Sequence, residues 1–368
     1  MNCDCGEAHN HKMKFYVLTS SKMPALRRHI DPKYSNIPKD QLVVVINSLS
    51  EAHIEAATEW CKEEGIEYHI TESNGTPAYG KNRMLELFLE SDNDYMVMID
   101  GDDYLTPHGV YMYQAVAEQH NPPQAICLKN QISTMADYEL MSEKGINPTT
   151  LRLEDIPYRV IQFFTADWDS IRRSDVVGNL RKMGCTKEMA KKQGAWHQEF
   201  YRIQEKYCEA DEAHCRVTWV GREAAKSRFP EHLIVGEDTI FYFNLKHRHV
   251  TEGLDIKCND EMQPTYVYDQ RTPGTVFNEV DQGRDWTWME KYNNEVYKME
   301  EQGEIQHLDL PLLTVDYPYP YSPNVLKFGT NGQFEYSNGE ETGFIDLPNN
   351  SSQKSLNNAY ERLAKFYK

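Results

Sequence analysis

Residues 94–107 read DYMVMIDGDDYLTP, and this stretch joins an apolar segment to an acidic turn. The apolar segment, residues 95–99, has the length of a buried strand. The turn that follows it carries three carboxylates, Asp100, Asp102 and Asp103. In an open α/β sheet, ligands bind just beyond the carboxyl ends of the strands. The stretch therefore predicts an α/β fold with a ligand site at this turn.

The acidic turn has the donor atoms of a divalent metal site. Mg²⁺ and Mn²⁺ prefer oxygen ligands, and proteins commonly hold them with one or two carboxylates and the phosphates of a substrate. We therefore take Asp102, Asp100 and Asp103 as candidate metal ligands in a site for a nucleotide diphosphate. A solvated turn that caps a helix starting at Pro107 is the alternative. A calcium-binding loop fits less well, because its oxygen ligands, glycine and closing glutamate are not at the required offsets.

The chain alternates strands and helices on both sides of the acidic turn. Hydrophobic periodicity predicts strands over residues 15–18, 42–46, 67–70, 95–99, 125–128 and 216–220. It predicts helices over residues 51–64, 81–89 and 110–120, and a largely helical segment over residues 165–212. Strands that alternate with helices form a mostly parallel sheet with right-handed crossovers. The predicted fold class is therefore α/β, with a Rossmann-like sheet flanked by helices.

The same pattern divides the chain into three parts. Residues 1–12 form a tail that is either flexible or metal-binding, and residues 13–280 form the main α/β domain. Near residue 281 the texture changes to an amphipathic segment, a Tyr/Pro run and a turn-rich part. We expect residues 281–368 to form a C-terminal extension of mixed α/β structure that ends in a helix over residues 352–367.

The composition indicates a globular protein without a membrane span. Of the 368 residues, 40% are hydrophobic and 11% are aromatic, which excludes wholesale disorder. No apolar run approaches the roughly 20 residues of a transmembrane helix, and the first residues lack the apolar centre of a secretory signal. We expect a cytoplasmic protein, in the host cytoplasm if it is viral, with no stable membrane insertion. The net charge of -18 argues against general affinity for nucleic acids or anionic membranes, but it does not exclude a local basic patch.

The eight cysteines show no spacing of a disulfide framework, and in a cytoplasmic protein we expect free thiols. One cluster differs, because Cys3, Cys5, His9 and His11 place four side chains of zinc-ligand type within nine residues. Their spacing is tighter than that of ordinary structural zinc sites. A bound Zn²⁺ and a frayed tail are both open interpretations.

Three further motifs follow the acidic turn: ADWDSIRRSDVV at residues 166–177, RFPEHLIVGEDTIF at residues 228–241 and TYVYDQRTPGTVF at residues 265–277. Together with the acidic turn and the KNR segment at residues 81–83, they resemble the successive motifs of family 2 glycosyltransferases with the GT-A fold. The resemblance covers roughly residues 15–277. It implies a GT-A domain that moves a sugar from a nucleotide-diphosphate sugar, expected to be a UDP-sugar, to an acceptor hydroxyl with inversion. Mn²⁺ or Mg²⁺ is the implied cofactor.

Two adjacent carboxylates, Glu237 and Asp238, are the candidate catalytic residues. They precede the apolar segment FYFNL at the predicted start of a helix. A pair of carboxylates can divide into a general base and a residue that orients it. The resemblance implies that Asp238 is the base that deprotonates the acceptor. In the alternative interpretation, both side chains only stabilise the N-terminus of the helix.

The resemblance also implies residues that bind the two substrates. For the donor these are Asn47, Lys81, Arg83, Asp100, Asp102 and Arg271. A guanidinium suits phosphate oxygens because it offers several N–H donors in a fixed fork. Asn47 stands where the family often has an aspartate that binds the nucleoside, so the identity of the nucleobase in the donor is not determined. Trp168 and Glu231 are the candidate acceptor-binding residues. Alternatively, Trp168 is an ordinary core residue and Glu231 lies on a surface loop.

Functions of other classes remain open from the sequence. A nucleotidyltransferase would also bind a nucleotide and a metal, but it should carry a glycine-rich loop after the first strand, and residues 19–28, TSSKMPALRR, contain no glycine. A non-catalytic carbohydrate-binding protein would not need to retain the candidate acids. The acceptor is a glycan, a protein, a small molecule or, as in phage DNA glycosyltransferases, a hydroxymethylated pyrimidine base of DNA. The DNA acceptor requires a basic groove, for which residues 170–230 are the candidate source.

Overall fold

A computed structural model of the chain defines the fold. It describes residues 11–32, 34–128, 132–136, 144, 158–162, 175–182, 184–207, 216–259, 265–270, 287–305, 312–315, 327–328, 333–337 and 342–346. The predicted helix over residues 352–367 lies outside these ranges, and so do five predicted site residues, Cys3, Cys5, His9, Trp168 and Arg271.

Strands and helices alternate through the first part of the chain, as predicted. The strands are β1 (Met13–Thr19), β2 (Leu42–Ile46), β3 (Glu67–Ile70), β4 (Tyr95–Asp100), β5 (Tyr104–Leu105), β6 (Ala125–Leu128), β7 (Ile132–Ala136), β8 (Tyr158–Gln162), β9 (Val217–Gly221), β10 (Ile256–Asn259), β11 (Tyr266–Gln270), β12 (Leu313–Thr314), β13 (Lys327–Phe328), β14 (Gln333–Ser337) and β15 (Thr342–Asp346). The helices are α1 (Met23–Arg27), α2 (Glu51–Glu64), α3 (Pro77–Glu90), α4 (Pro107–Ala117), α5 (Val176–Lys182), α6 (Lys187–Tyr207), α7 (Glu237–Glu252) and α8 (Thr287–Gln302). Within the described part of the chain, no helix has the length and apolar character needed to cross a membrane.

Within the described residues, an eight-stranded sheet lies at the centre, in the order β12-β10-β6-β9-β4-β1-β2-β3. Neighbouring strands run parallel except at β9, which pairs antiparallel with both β4 and β6. Parallel strands need crossover connections, and the helices between them supply these. The predicted fold class, a mostly parallel α/β sheet flanked by helices, is confirmed.

The central strands are apolar along their whole length because both faces of the sheet are covered. Successive side chains of a strand point to opposite faces. In β1, Tyr16 and Leu18 pack in one hydrophobic cluster, whereas Phe15 and Val17 pack in the other. The same alternation in β2 and β4 produces two cores, one on each side of the sheet.

Side-chain caps begin the helices that follow the central strands. The hydroxyls of Ser50, Thr76 and Thr106 accept hydrogen bonds from backbone amides in the first turns of α2, α3 and α4. Pro77 follows Thr76 at the first position of α3, where its missing N–H and fixed φ cost nothing. Helix α3 therefore begins four residues before the predicted start at Lys81.

A four-stranded sheet, in the order β5-β11-β7-β8, lies beside the acidic turn. Strand β5 follows the turn directly and pairs antiparallel with β11, with Leu105 opposite Tyr266. The hydroxyl of Ser35 donates to the carbonyl oxygen of Leu105 at 2.8 Å, which fixes β5 from the other side. Through this pairing, the strand that carries the TYVYDQ motif lies against the acidic turn.

Two described elements of the predicted C-terminal extension pack on the main domain. Strand β12 extends the central sheet next to β10. Helix α8 buries Tyr292, Val296 and Met299 in the hydrophobic cluster that also contains Phe241 of α7. Strands β13, β14 and β15 form a separate antiparallel sheet. The boundary at residue 280 stays a prediction, but α8 and β12 share the core of the residues before it.

Trp219 holds the antiparallel strand β9 in the centre of the sheet. Its side chain is fully buried, and its ring stacks on Tyr95 and Tyr113 with centroid distances of 4.7 and 6.1 Å. The indole Nε1 donates to the carbonyl oxygen of Pro123 at 2.8 Å. A buried tryptophan with a partner for its N–H combines large apolar burial with a satisfied polar group.

We predict that Trp219→Phe lowers the free energy of unfolding by about 2–3 kcal/mol, because the smaller ring leaves a cavity and the carbonyl of Pro123 loses its donor. Urea denaturation followed by circular dichroism measures the change. Tyr111→Phe, on the exposed side of α4, is the matched control. Equal unfolding midpoints for the two variants would contradict the prediction.

Candidate active site

A cavity of about 440 Å³ opens at the carboxyl ends of β1, β2 and β4. The loops after these strands line it, together with the first residues of α7. Five predicted site residues that are distant in the sequence line this one cavity: Asn47, Asp100, Asp102, Glu237 and Asp238. The position agrees with the general rule that open α/β sheets bind ligands beyond the carboxyl ends of their strands.

Asp100, the last residue of β4, has a cation at each carboxylate oxygen. Its Oδ1 lies 3.3 Å from Nζ of Lys81, and its Oδ2 lies 3.0 Å from Nη1 of Arg216. Burial alone would raise the pKa of Asp100, but the two cations together hold it below its ordinary value. Asp100 is therefore ionised, and both of its oxygens are already paired with protein groups.

Asp103 is fully buried and connects the acidic turn to β11. Its Oδ1 accepts from the backbone N–H of Asp269 at 2.9 Å, and its Oδ2 accepts from the hydroxyl of Tyr266 at 2.8 Å and from Arg216 at 2.6 Å. Burial raises the pKa of Asp103 to about 7, against the opposing effect of Arg216, and the neighbouring carboxylates add to the rise. The geometry makes Asp103 a structural link between two sheets, whereas its predicted role as a metal ligand stays untested.

Asp102 lines the cavity with the most accessible carboxylate of the turn. Its side chain is 31% exposed, and its nearest cation is Nζ of Lys22 at 3.8 Å. Burial raises the pKa of Asp102, and Asp100 adds to this, while Lys22 opposes it. The backbone of the residue is fixed separately, because Arg28 donates to the carbonyl oxygen of Asp102 at 2.8 Å and forms a buried ion pair with Asp269. Of the three acids in the turn, Asp102 has the oxygens best placed for a ligand.

Glu237 and Asp238 are the first two residues of α7 and share one lysine. Nζ of Lys81 lies 2.9 Å from Oε1 of Glu237 and 2.6 Å from Oδ1 of Asp238. Burial raises the pKa of Glu237 to about 7 although Lys81 opposes the rise, and Asp238 adds to it. Burial would lower the pKa of Lys81, but three surrounding carboxylates hold it well above its ordinary value. The lysine is therefore charged, and Glu237 is protonated more easily than an ordinary glutamate.

The start of α7 depends on a glycine. Gly236 is the N-cap residue, with φ of 87°, a value that favours glycine. A Cβ atom at this position would lie 2.6 Å from the ring of Tyr292 in α8. Neither candidate acid is the capping residue itself, but the alternative interpretation, in which both side chains only stabilise this end of the helix, stays open. Their charges still lie at its positive N-terminal end.

Arg216 is a site residue that the sequence analysis missed. Besides Asp100 and Asp103, its guanidinium approaches Oδ2 of Asp238 at 3.9 Å, and it lines the cavity. Its Cζ lies 4.7 Å from the ring centre of Tyr266 and 5.4 Å from that of Tyr268. Arg216 immediately precedes β9, where a cation at a strand boundary looked ordinary. The signal in the sequence was the cluster of three carboxylates in the turn, because acids that lie so close together need a cation nearby.

Asn47 lines the cavity, but both polar atoms of its side-chain amide already form hydrogen bonds within the protein. Its Nδ2 donates to the carbonyl oxygen of Thr76 at 3.1 Å, and its Oδ1 accepts from the hydroxyl of Thr71 at 2.8 Å. The residue is almost completely buried, and a side chain at Gly80 would collide with it. These bonds hold the loop after β2 against the start of α3. The predicted contact of Asn47 with a nucleoside stays a prediction.

Neither Arg83 nor Glu231 is among the described residues that line the cavity. Arg83 forms an ion pair with Glu86 on the same helix and packs over the ring of Tyr79. Glu231 accepts a hydrogen bond from Nδ2 of Asn82 at 2.9 Å. Asn82 also exchanges two hydrogen bonds with the backbone of Phe229, so α3 positions the whole loop before α7.

The predicted zinc cluster is represented in the described residues by His11 alone. Its ring lies edge-on to Tyr95 at 5.4 Å, and its Nδ1 is 3.7 Å from Asp94. Among the residues that the structure describes, no group of three or more histidine, cysteine, aspartate or glutamate side chains is arranged to hold a metal ion. A Zn²⁺ at Cys3, Cys5, His9 and His11 has no support from the described part of the chain.

No protein-family model matches the chain, and no curated protein matches it. Solved structures do show similarity. TarS from S. aureus in complex with UDP is 13% identical, with a TM-score of 0.38 over 70% of this chain and 60% of that chain. Mannosyltransferase PcManGT from Pyrobaculum calidifontis in complex with GDP-Man and Mn²⁺ is 11% identical, with a TM-score of 0.36 over 80% of this chain and 76% of that chain. GalNAc-T7 with UDP, GalNAc and Mn²⁺ is 9% identical, with a TM-score of 0.27 over 34% of this chain and 24% of that chain.

These structural neighbours are glycosyltransferases. The chain spans 60% of the length of the first TarS structure. At such identities and TM-scores, the likeness transfers neither an activity nor a ligand to this chain. The function of the chain is therefore inferred from the residues of the cavity.

We predict that Glu237→Gln raises stability relative to the wild type as the pH increases. A carboxyl group with pKa of about 7 in the folded state and about 4.5 in the unfolded state disfavours folding once it ionises. The wild type therefore loses stability between about pH 4.5 and pH 7, and the neutral amide removes this loss, which is on the order of 1–3 kcal/mol. Urea denaturation at pH 4.5 and pH 8 measures it, with Glu301→Gln on the exposed end of α8 as control. A difference from the wild type that is the same at both pH values would refute the assignment.

Proposed function

We propose that the chain is an inverting glycosyltransferase that moves a sugar from a nucleotide-diphosphate sugar to an acceptor hydroxyl with the help of Mn²⁺ or Mg²⁺. The observation that carries the proposal is the meeting of Asp102 and Asp238 in one cavity, one on each of two motifs more than a hundred residues apart. One carboxylate serves the leaving diphosphate, and the other serves the attacking hydroxyl. A UDP-sugar is the proposed donor, on the resemblance of the motif order alone.

The charge of the cavity supports a divalent cation. The acidic turn and the start of α7 hold five carboxylates against three cations, Lys22, Lys81 and Arg216. The group is therefore negative once Asp103 and Glu237, whose pKa values are raised to about 7, are ionised. A diphosphate is anionic, so it can enter an acidic cavity only with a compensating positive charge. Asp102 is the residue that fits a metal ligand, since the oxygens of Asp100 and Asp103 are paired within the protein. Mg²⁺ and Mn²⁺ are commonly held by one or two carboxylates and substrate phosphates, and the bound ion would neutralise the leaving group.

Asp238 is the proposed general base. As the acceptor oxygen bonds to the anomeric carbon, its proton passes to a carboxylate oxygen of Asp238. The bond from the anomeric carbon to the diphosphate breaks at the same time, and the diphosphate leaves with the electron pair. Attack from the side opposite to the leaving group inverts the anomeric configuration, and one carboxylate suffices for this direct displacement.

The acceptor class is the open part of the proposal. Residues 181–192, which span the end of α5, the turn after it and the start of α6, include five exposed cations, four of them lysines: Arg181, Lys182, Lys187, Lys191 and Lys192. In a chain of net charge -18, this surface is the described counterpart of the basic region that a DNA acceptor requires. Glycans, proteins and small molecules are the other acceptor classes. A screen of nucleotide sugars for Mn²⁺-dependent hydrolysis, followed by mass spectrometry of candidate acceptors that include hydroxymethylated DNA, tests the proposal.

The nucleotidyltransferase alternative has little support from the first loop. The residues after β1 are Ser20, Ser21 and Lys22, and they lead into the short helix α1 without a glycine-rich phosphate loop. A purely carbohydrate-binding protein would have no use for a buried lysine that holds two carboxylates at the edge of a cavity. The same screen separates these classes by the products that are released.

We predict that Asp102→Ala abolishes Mn²⁺-dependent binding of UDP, because the diphosphate and the cation are held together. Isothermal titration calorimetry with UDP in the presence and absence of Mn²⁺ measures the effect. Asp40→Ala, on an exposed turn before β2, is the control. If Asp102→Ala retained the affinity of the wild type, the proposed metal ligand would be wrong.

We predict that Asp238→Asn preserves UDP binding and lowers kcat by about 10²–10⁴, since the amide is nearly isosteric but cannot take up the proton of the acceptor. The first-turn position tolerates asparagine, so the stability change should stay near or below roughly 1 kcal/mol. Turnover and melting temperature are measured side by side. Normal turnover in a variant that melts early would show that the base lies elsewhere, with Glu231 as the next candidate.

A further inference from the structure

Lys81 is the most enclosed cation of the site. It lies in the first half of α3, and its side chain is 7% exposed. Its Nζ is within 3.3 Å of oxygens from three carboxylates, those of Asp100, Glu237 and Asp238. The described residues that line the cavity include these three acids but not Lys81. The resemblance implies that Lys81 is a donor ligand. In the structure its ammonium group contacts the three acids on the side away from the cavity lining.

The two oxygens of Asp238 have different surroundings. Oδ1 lies 2.6 Å from Nζ of Lys81, a full charge-assisted hydrogen bond. Oδ2 lies 3.9 Å from Arg216, beyond hydrogen-bond distance. The carboxylate lines the cavity, so Oδ2 is the oxygen that is left for an acceptor hydroxyl. The ammonium of Lys81 thus fixes the rotation of the side chain that the proposed reaction uses.

Lys81 is itself held by the packing of α3. A side chain at the preceding Gly80 would lie 2.6 Å from Leu18, so the helix backbone is pressed against the central sheet. On the other side, Asn82 ties the helix to the loop before α7 by hydrogen bonds to Phe229 and Glu231. Contacts on both sides of Lys81 therefore set its position relative to α7.

From this geometry, and resting on the proposed function, we propose that Lys81 is a positioning residue for the general base: it binds Oδ1 of Asp238 so that Oδ2 faces the acceptor. Lys81 is then not a donor ligand. Its loss lowers turnover and leaves the affinity for the nucleotide unchanged. A donor ligand would show the opposite, a loss of nucleotide binding.

The experiment uses the full chain with UDP and Mn²⁺ as the binding probe and with the best donor found in the hydrolysis screen as the turnover probe. Lys81→Met removes the charge at nearly constant length, and Lys81→Arg retains it. Because Lys81→Met leaves buried carboxylates without their cation, the double variant Lys81→Met with Glu237→Gln removes one acid as well and keeps the site foldable. Lys226→Met is the matched control, since Lys226 is an exposed lysine whose Nζ lies 2.6 Å from Glu223.

We expect the double variant to fold, to bind UDP as the wild type does and to lose about tenfold or more in kcat beyond Glu237→Gln alone, with the 10²–10⁴ that a general base contributes as the upper limit. We expect Lys81→Arg to recover part of this loss and Lys226→Met to leave kcat unchanged. Weakened UDP binding in a folded Lys81 variant would overturn the inference in favour of a donor ligand. A double variant with the kcat of Glu237→Gln would overturn it as well.

The wild-type measurement separates the two levels of the argument. If the wild-type chain turns over none of the nucleotide sugars, the proposed function fails before any variant is made. If the wild type is active and the Lys81 variants behave as Lys226→Met does, the proposed function stands and the positioning role fails.

Discussion

The site depends on two internal cations that keep four carboxylates together. Lys81 and Arg216 are both largely buried, and between them they contact Asp100, Asp103, Glu237 and Asp238. Without them, like charges at these distances would repel each other in a medium of low dielectric constant. Four separate parts of the chain, the end of β4, the first half of α3 and the beginnings of β9 and α7, meet at these ion pairs.

The three aspartates of the acidic turn have different roles. Asp103 fastens the central sheet to the four-stranded sheet through Tyr266 and the backbone of Asp269, and Asp100 anchors the two cations. Asp102 has the most exposed carboxylate of the three, and it lines the cavity without a close cation at its oxygens among the residues that the structure describes. The pKa of Asp103 is raised by its burial, whereas that of Asp100 is lowered by its partners, so neighbouring residues of one type differ in charge state and in role.

The fold was largely predictable from the sequence, because apolar runs of strand length and helix caps are local signals. The meeting of Asp102 with Asp238 was predictable from the order of the motifs. What local patterns could not show were the long-range partners. Arg216 is an ordinary residue in its own segment, and its role arises only when β9 runs antiparallel beside β4. The antiparallel direction itself has no mark in the apolar run 217–220, since a strand covered on both faces looks the same in either direction.

The close contact between Gly236 and Tyr292 joins the two ends of the described core. Gly236 is the N-cap residue two positions before Asp238, and Tyr292 belongs to α8, a helix that comes after the last sequence motif of the site. The same tyrosine accepts a hydrogen bond from Gln204 of α6 at 2.9 Å. Packing between α6, α8 and Gly236 therefore fixes the start of α7. The position of the proposed general base, two residues after Gly236, depends in this way on a helix that lies outside the sequence motifs of the site.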